Sequence, residues 1–457
     1  METPLDIPLE IFGQNDVLSI MTPFVYIFPC EDPDISKFTD TVHAGIKRWT
    51  ESFPWLAGKI INTGRTETSS GVFKIVSHES TPNFVVRDWR QDNRVPTMAQ
   101  LAEFEVPSAM LKEEFFTPIT VLPSGDGDRS PISQIQLSII TGAVVLSIMA
   151  NHQALDGTAQ DQVCFLLDKA CNNIPFTDEE SRIGNLRRDT IVDIFDDDWQ
   201  PPLNTWYRAT TSNDTETKTK NEKSDKPPIK KVELRWTDIL FKPTSLSTLK
   251  STISRDLQSG FVSTDDALTA LIWQSLAKAR LARYPPSTET NIGRAVNPRR
   301  YLGIPATYPG YISNNAYSTY TLQDLANTPL SSIAIELRSK VDPEKSGLGN
   351  LTKEFATILH RATNKNDINM NGTLDLDRDI MFSSWANMRG YSFDFGLGLG
   401  KPTYFRRMDQ SIVPSLGFLL PKRPDGEVVL SMCFRTDDLA MLRSDPVFTT
   451  YGRILNP

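Results

Sequence analysis

Residues 132–139 and 143–149 are dominated by β-branched and aliphatic side chains, and the short Thr141-Gly142 break lies between them. That pattern predicts two buried strands joined by a tight turn. The second strand delivers the chain to His152. Beyond Gly157, apolar Val163, Leu166, Leu167 and Ala170 recur at spacings of three, one and three, which draws a stripe along one helix face. His152 is therefore expected where a buried strand gives way to a helix.

In the second half, Ser263-Thr264-Asp265-Asp266 precedes the periodic set Leu268, Leu271, Ile272 and Ser275. A helix capped by a hydroxyl or a carboxylate and running to about Arg283 is predicted, with Arg280 and Arg283 suited to its C-terminal end. Strands are expected at 417–420 and 428–433, joined by the turn-forming residues 421–426. Residues 211–231 hold Ile229 as their one aliphatic side chain and no aromatic, too little apolar surface to offset the entropy of ordering. They read as a linker between a first domain, 1–210, and a second, 232–457. A chain of 457 residues accommodates two cores, with a cleft expected between them.

Charge narrows the class of partner. The 48 Lys and Arg against 56 Asp and Glu leave a formal charge of −8, which repels nucleic acid; an anionic cofactor would need local basic groups. Cys30, Cys164, Cys171 and Cys433 show no CxxC spacing and read as reduced packing thiols, neither disulfides nor metal ligands. The N-terminus lacks the order of a signal peptide, and the longest apolar stretch, 137–150, is interrupted at Thr141-Gly142. A soluble cytoplasmic monomer with no membrane partner is the expectation.

Only four histidines exist, and His43, His78 and His360 sit in helical or loop settings that suit packing or surface. His152 differs, because Asp156 and Gly157 follow it at fixed offsets. A histidine held at the end of a buried strand is rigid, and its near-neutral pKa suits proton transfer in both directions within one turnover. Asp156 has two readings: it orients the imidazole as in a hydrolase triad, or it pairs with a distant arginine and braces the loop. A second constellation, 394–402 (DFGLGLGKP), implies a tightly bent loop in close approach to other backbone, without the pattern of a P-loop. No Gly-x-Ser-x-Gly elbow, HExxH motif or activated cysteine offers a competing plan.

With HxxxDG at 152–157 and DFGxG at 394–398, the sequence resembles the BAHD acyltransferases, most closely the fungal trichothecene 3-O-acetyltransferases and related natural-product acetyltransferases. The resemblance continues through 54–58, 262–268, 294–296, 383–386 and 421–427, essentially the whole chain. It implies an α/β fold of two chloramphenicol-acetyltransferase-like domains, each a mixed β-sheet with flanking helices, meeting along a channel that holds His152. It further implies acetyl-CoA as co-substrate, no tightly bound cofactor, and a small hydroxylated acceptor such as a fungal terpenoid or alkaloid. His152 is then the general base and no acyl-enzyme forms. Asp156 pairs with Arg294 in this reading, and Asp394, Gly396 and Gly398 hold their own loop. Ser383 matches a donor to the reacting carbonyl, with Trp385 either beside it or serving packing. Ser263 and Thr264 are expected either to cap a helix or to meet CoA phosphate, with Lys250 or Arg299 supplying charge. Condensation domains that act on carrier-bound substrates share a related HHxxxDG motif, in which Asn151 here replaces the first histidine. A paralogue that binds ligands without turnover is the non-enzymatic alternative.

Overall fold

The computed structural model describes residues 4–122, 130–202, 233–255, 257, 260–408 and 412–455, so the expected linker at 211–231 lies outside the described residues. Three β-sheets organise the chain. The first runs, in spatial order, Tyr404–Arg406, Met21–Pro29, Ala143–Asn151, Ser133–Ile140 and Asn83–Asp88. Only its last pair is parallel. The strands predicted around Thr141-Gly142 are its centre, and both are buried along their whole length, which is why their sequence is apolar without alternation. Its edge strand Tyr404–Arg406 comes from the far end of the chain and pairs antiparallel with Met21–Pro29.

The second sheet orders Asn314–Thr321, Glu289–Val296, Ile380–Ser384, Leu416–Leu419, Val428–Arg435, Leu234–Phe241 and Gly452–Ile454. Its strands Glu289–Val296, Ile380–Ser384 and Leu416–Leu419 are mutually parallel and the rest antiparallel, so both large sheets are mixed. A small antiparallel sheet of Asp6–Pro8, Val72–Val76, Lys59–Thr63 and Ser130–Pro131 stands beside them.

Helices cover the sheets. Ile35–Ser52 and Gly157–Cys171 pack together, and Val42, Trp49, Val163 and Leu166 join Tyr26, Leu137 and Leu146 in one core. The stripe read from Val163 to Ala170 is thus the buried face of its helix. Thr264–Arg280 carries Leu268, Leu271 and Ile272 into a second core with Ile292, Phe382 and Leu430. It is capped as expected: Ser263 Oγ accepts from the Asp266 N–H at 3.1 Å, and the Asp266 carboxylate accepts from the Ser263 N–H at 2.8 Å. The four cysteines form no disulfide, and no helix among the described residues is long and apolar enough to cross a membrane.

Candidate active site

The strand Ala143–Asn151 ends one residue before His152, and the loop that follows is tied down at each step. The His152 N–H donates to the Ile20 carbonyl at 2.9 Å, and the Leu155 N–H to the Asn151 carbonyl at 3.1 Å. Asn151 Oδ1 accepts from the Gln153 N–H at 3.0 Å. From 151 to 156 every side chain is buried except that of His152, which keeps partial exposure.

His152 Nδ1 lies 3.0 Å from the Leu155 carbonyl oxygen. A carbonyl only accepts, so Nδ1 carries the hydrogen and the neutral ring presents its lone pair at Nε2. The Tyr311 ring stands edge-on to the imidazole with centroids 5.2 Å apart. Burial holds the His152 pKa below the ordinary histidine value, against smaller opposing effects of the Leu155 carbonyl and Asp156, while the Arg407 charge adds to the lowering. The ring is therefore neutral at neutral pH, with Nε2 unprotonated.

Asp156 takes no part in that orientation. Its Oδ1 accepts from the Ala159 N–H at 2.8 Å, capping the helix Gly157–Cys171. Its Oδ2 accepts from Arg299 Nη2 at 2.7 Å and from the Ile312 N–H at 2.8 Å. Of the two readings left open by the sequence, the brace is the one the geometry holds. The partner is Arg299, however, and not Arg294. Arg294 lies within the strand Glu289–Val296, whose register turns its side chain to the helix Thr264–Arg280, where Nη2 meets Asp265 at 2.8 Å and Asp266 at 3.2 Å. Arg299 follows in the turn Arg299–Tyr301, beyond the strand's alternation, and reaches back to the histidine loop. With its guanidinium 1 % exposed and bonded to the carbonyls of Tyr308 and Gly310 as well, Arg299 cannot offer charge to a CoA phosphate, and that expectation falls with the other.

Gly157 opens the helix where two side chains of another segment approach closely. A Cβ would stand 2.8 Å from Met388 Cε and 3.3 Å from Trp385 Nε1. Close approach brings the end of the strand Ile380–Ser384 to the histidine loop, and a cavity of about 80 Å³ is lined by Asp156, Gly157, Thr158, Ser383, Trp385 and Met388, among others. Trp385 itself is buried between Phe24 and Phe418, each with its ring centre at 5.1 Å, and its packing role is therefore substantial. The guanidinium of Arg407 lies over both Trp385 and Phe418. From the other side Arg389 clamps this segment, donating from its backbone and Nε to Asp161 at 2.9 and 2.8 Å.

A larger cleft of about 940 Å³ opens against the second sheet. Lys250, Arg294, Arg300, Arg338 and Lys422 line it, with Asp265 the one acidic lining residue among the described residues. Ser263 and Thr264 line it too, so capping and a place at the cleft coexist. The large cleft and the small cavity share Val296, Asn297 and Ser384 in their walls. At this neck Asn297 Nδ2 donates to Thr158 Oγ1 at 3.3 Å. A basic cleft thus runs up to the histidine loop.

Asp394 sits elsewhere. Its Oδ1 accepts from Asn172 Nδ2 at 2.7 Å and from the Gly396 N–H at 3.0 Å, and Lys401 Nζ lies 3.2 Å from Oδ2. Asp168 accepts from the N–H groups of Asp394 and Phe395 at 2.8 and 2.7 Å. Gly396 has φ +64° and no space for a Cβ, which would fall 2.7 Å from the Cys171 carbonyl oxygen, and Gly398 follows with φ +73°. The loop is fastened to the C-terminal end of the helix whose N-terminal end follows His152. That helix has 15 residues. At 1.5 Å per residue it keeps the two motifs roughly 22 Å apart.

Sequence reasoning did not single out Arg389, Asp161, Tyr311 or Arg407. Tyr311, Arg389 and Arg407 come from separations in sequence too large for any local spacing to reveal, and Asp161, nine positions after His152, shows its part only through its bonds to Arg389.

The chain is similar to known proteins along its whole length. A family model described as the trichothecene 3-O-acetyltransferase-like N-terminal domain matches residues 20–171. An O-acetyltransferase of Cryptosporiopsis sp., dmxR13, is 41% identical over 98% of this chain and 97% of its own. The trichothecene 3-O-acetyltransferase TRI101 of Fusarium sporotrichioides is 36% identical over 98% and 97%. The crystal structure of Fusarium graminearum TRI101 complexed with coenzyme A and T-2 mycotoxin superposes with a TM-score of 0.91 at 34% identity, covering 99% of this chain and 100% of that one.

Proposed function

Because this chain belongs to the trichothecene 3-O-acetyltransferase-like family, we propose that it transfers the acetyl group of acetyl-CoA to a hydroxyl of a fungal secondary metabolite of the terpenoid class, with His152 as general base. The observation that carries this reading is the continuity of the basic cleft with the small cavity walled by Asp156 and Gly157, the residues that close the His152 loop. CoA is an anion, and a protein of net charge −8 that gathers five basic residues around one cleft has built a local exception to its own charge. Lys250 and Lys422 are exposed at this cleft, whereas Arg294 and Arg338 are already paired with Asp265 and Asp266. The first two are the better phosphate partners, with the hydroxyls of Ser263 and Thr264 beside them.

In the reaction, Nε2 takes the proton of the acceptor hydroxyl as its oxygen bonds to the thioester carbonyl carbon. The tetrahedral oxyanion is met by the Ser383 hydroxyl at the small cavity. As the carbon–sulfur bond breaks, the imidazolium returns the proton to the CoA thiolate. Acyl transfer is direct, and the protein acts as a monomer in the cytoplasm, where four unbridged thiols stay reduced.

Purified protein incubated with acetyl-CoA and a panel of hydroxylated terpenoids, deoxynivalenol among them, is expected to release free thiol and yield a product heavier by one acetyl group. Absence of thiol release with every acceptor, alongside intact CoA binding, would defeat the proposal.

A further inference from the structure

Behind the catalytic loop lies a concentration of buried charge that neither motif contains. Glu10 is wholly buried. Its Oε1 accepts from Arg188 Nη1 at 2.8 Å and from the Tyr308 hydroxyl at 2.5 Å. Arg188, stacked 4.2 Å above the Trp55 ring, donates also to the carbonyls of Ala154 at 3.2 Å and Pro309 at 3.1 Å. Ala154 belongs to the loop between His152 and Asp156, and Pro309 to the segment that carries Tyr311 and Ile312. Arg299 holds the same two pieces of chain from the opposite side, through Asp156 and the carbonyls of Tyr308 and Gly310. A Cβ on Gly310 would lie 1.7 Å from Glu10 Oε1, so the carboxylate is pressed directly against that segment.

We propose that Glu10 is a positioning residue for acyl transfer: through Arg188 it fixes the backbone of both segments that meet the His152 ring, the loop of Ala154 and Leu155 and the segment that carries Tyr311. The inference rests on His152 being the base. Burying a carboxylate and a guanidinium together costs solvation that an apolar pair of similar volume would avoid, so stability alone is a weak reason for this pair. What the pair adds is direction, since Arg188 has donors enough to grip two separate chain segments at once. The charged and titratable groups around Glu10 are Arg188, Tyr308 and Arg299, and those around His152 are Asp156, Tyr311 and Arg407. Glu10 has no contact of its own with the imidazole and acts through the backbone it holds.

The test reads the ring directly, without an acceptor. The chain has four histidines. NMR of protein carrying labelled histidine, with the His152 resonance assigned from His152→Ala, gives its titration midpoint. In Glu10→Gln the loosened segments admit water to the ring, so the midpoint moves upward from its depressed value, and kcat falls roughly 10- to 100-fold while KM for acetyl-CoA stays within about twofold. Because Glu10→Gln leaves Arg188 buried without a counter-charge, the double variant Glu10→Gln/Arg188→Met is measured beside it. Its thermal midpoint is expected to recover while the titration midpoint and kcat remain displaced. A titration midpoint and a kcat per folded molecule equal to wild type in either variant would overturn the proposal. A wild-type protein without turnover on any acceptor would instead sink the acyl-transfer reading, and the titration would still decide whether Glu10 holds the ring.

Discussion

Both carboxylate oxygens of Asp156 are committed to a helix cap, a guanidinium and a backbone N–H, and the imidazole beside it leans on a carbonyl. This division of labour makes the consequences of substitution separable. On the proposed mechanism His152→Ala removes the base alone, so kcat should fall by about 10²–10⁴ while CoA binding, followed by calorimetry, is unchanged. Since the base must be neutral and burial lowers its pKa from 6.5, kcat/KM should rise with pH through a midpoint below that value and stay flat above it. A midpoint at or above 6.5 would mean that another group limits the rate. Arg299→Met leaves the Asp156 carboxylate buried without its charge partner and should destabilise the fold by about 3–5 kcal/mol. Arg294→Met should cost less, because Asp266 keeps Arg338. Denaturant unfolding of the two variants would reveal whether the order is reversed.

At the scale of elements, the helix Gly157–Cys171 is a spacer that sets the histidine loop at one end and the glycine loop at the other. Gly396→Ala therefore strains a backbone at φ +64° that also lacks room, and should cost about 1–3 kcal/mol in stability while activity per folded molecule survives. Selective loss of rate in a normally stable variant would place the glycine loop in the chemistry after all. The strands around Thr141-Gly142, the helix after Gly157 and the capped helix after Ser263 were legible in the sequence because hydrophobic period and capping chemistry are local properties. The place of His152 between a strand and a helix was legible on the same grounds, while the offsets to Asp156 and Gly157 were what set it apart from the other histidines. The pairing of Asp156 was not, since Arg294 and Arg299 are five positions apart and only the strand's end decides which of them faces the loop. Glu10 and Arg188 were beyond reach for the same reason, being 178 residues apart and joined only by the packed fold.

For the molecule as a whole, a negative protein with a basic cleft should bind its anionic donor in a salt-dependent way. Charge reversal at Lys250 or Lys422 is expected to raise KM for acetyl-CoA severalfold at low ionic strength, and the difference should shrink as salt approaches 1 M, where the Debye length is about 3 Å. Equal KM values for wild type and variants at low salt would remove these lysines from donor recognition. The strand Tyr404–Arg406, lent by the distal part of the chain to the sheet that ends at His152, bears on how the protein can be made. A fragment stopping at residue 210 would expose the unpaired flank of Met21–Pro29, an invitation to self-association. Produced together with a fragment beginning at 232, it should instead be rescued into soluble, active protein. Such a pair would behave as a split reporter whose first piece takes three residues of β-structure from the second.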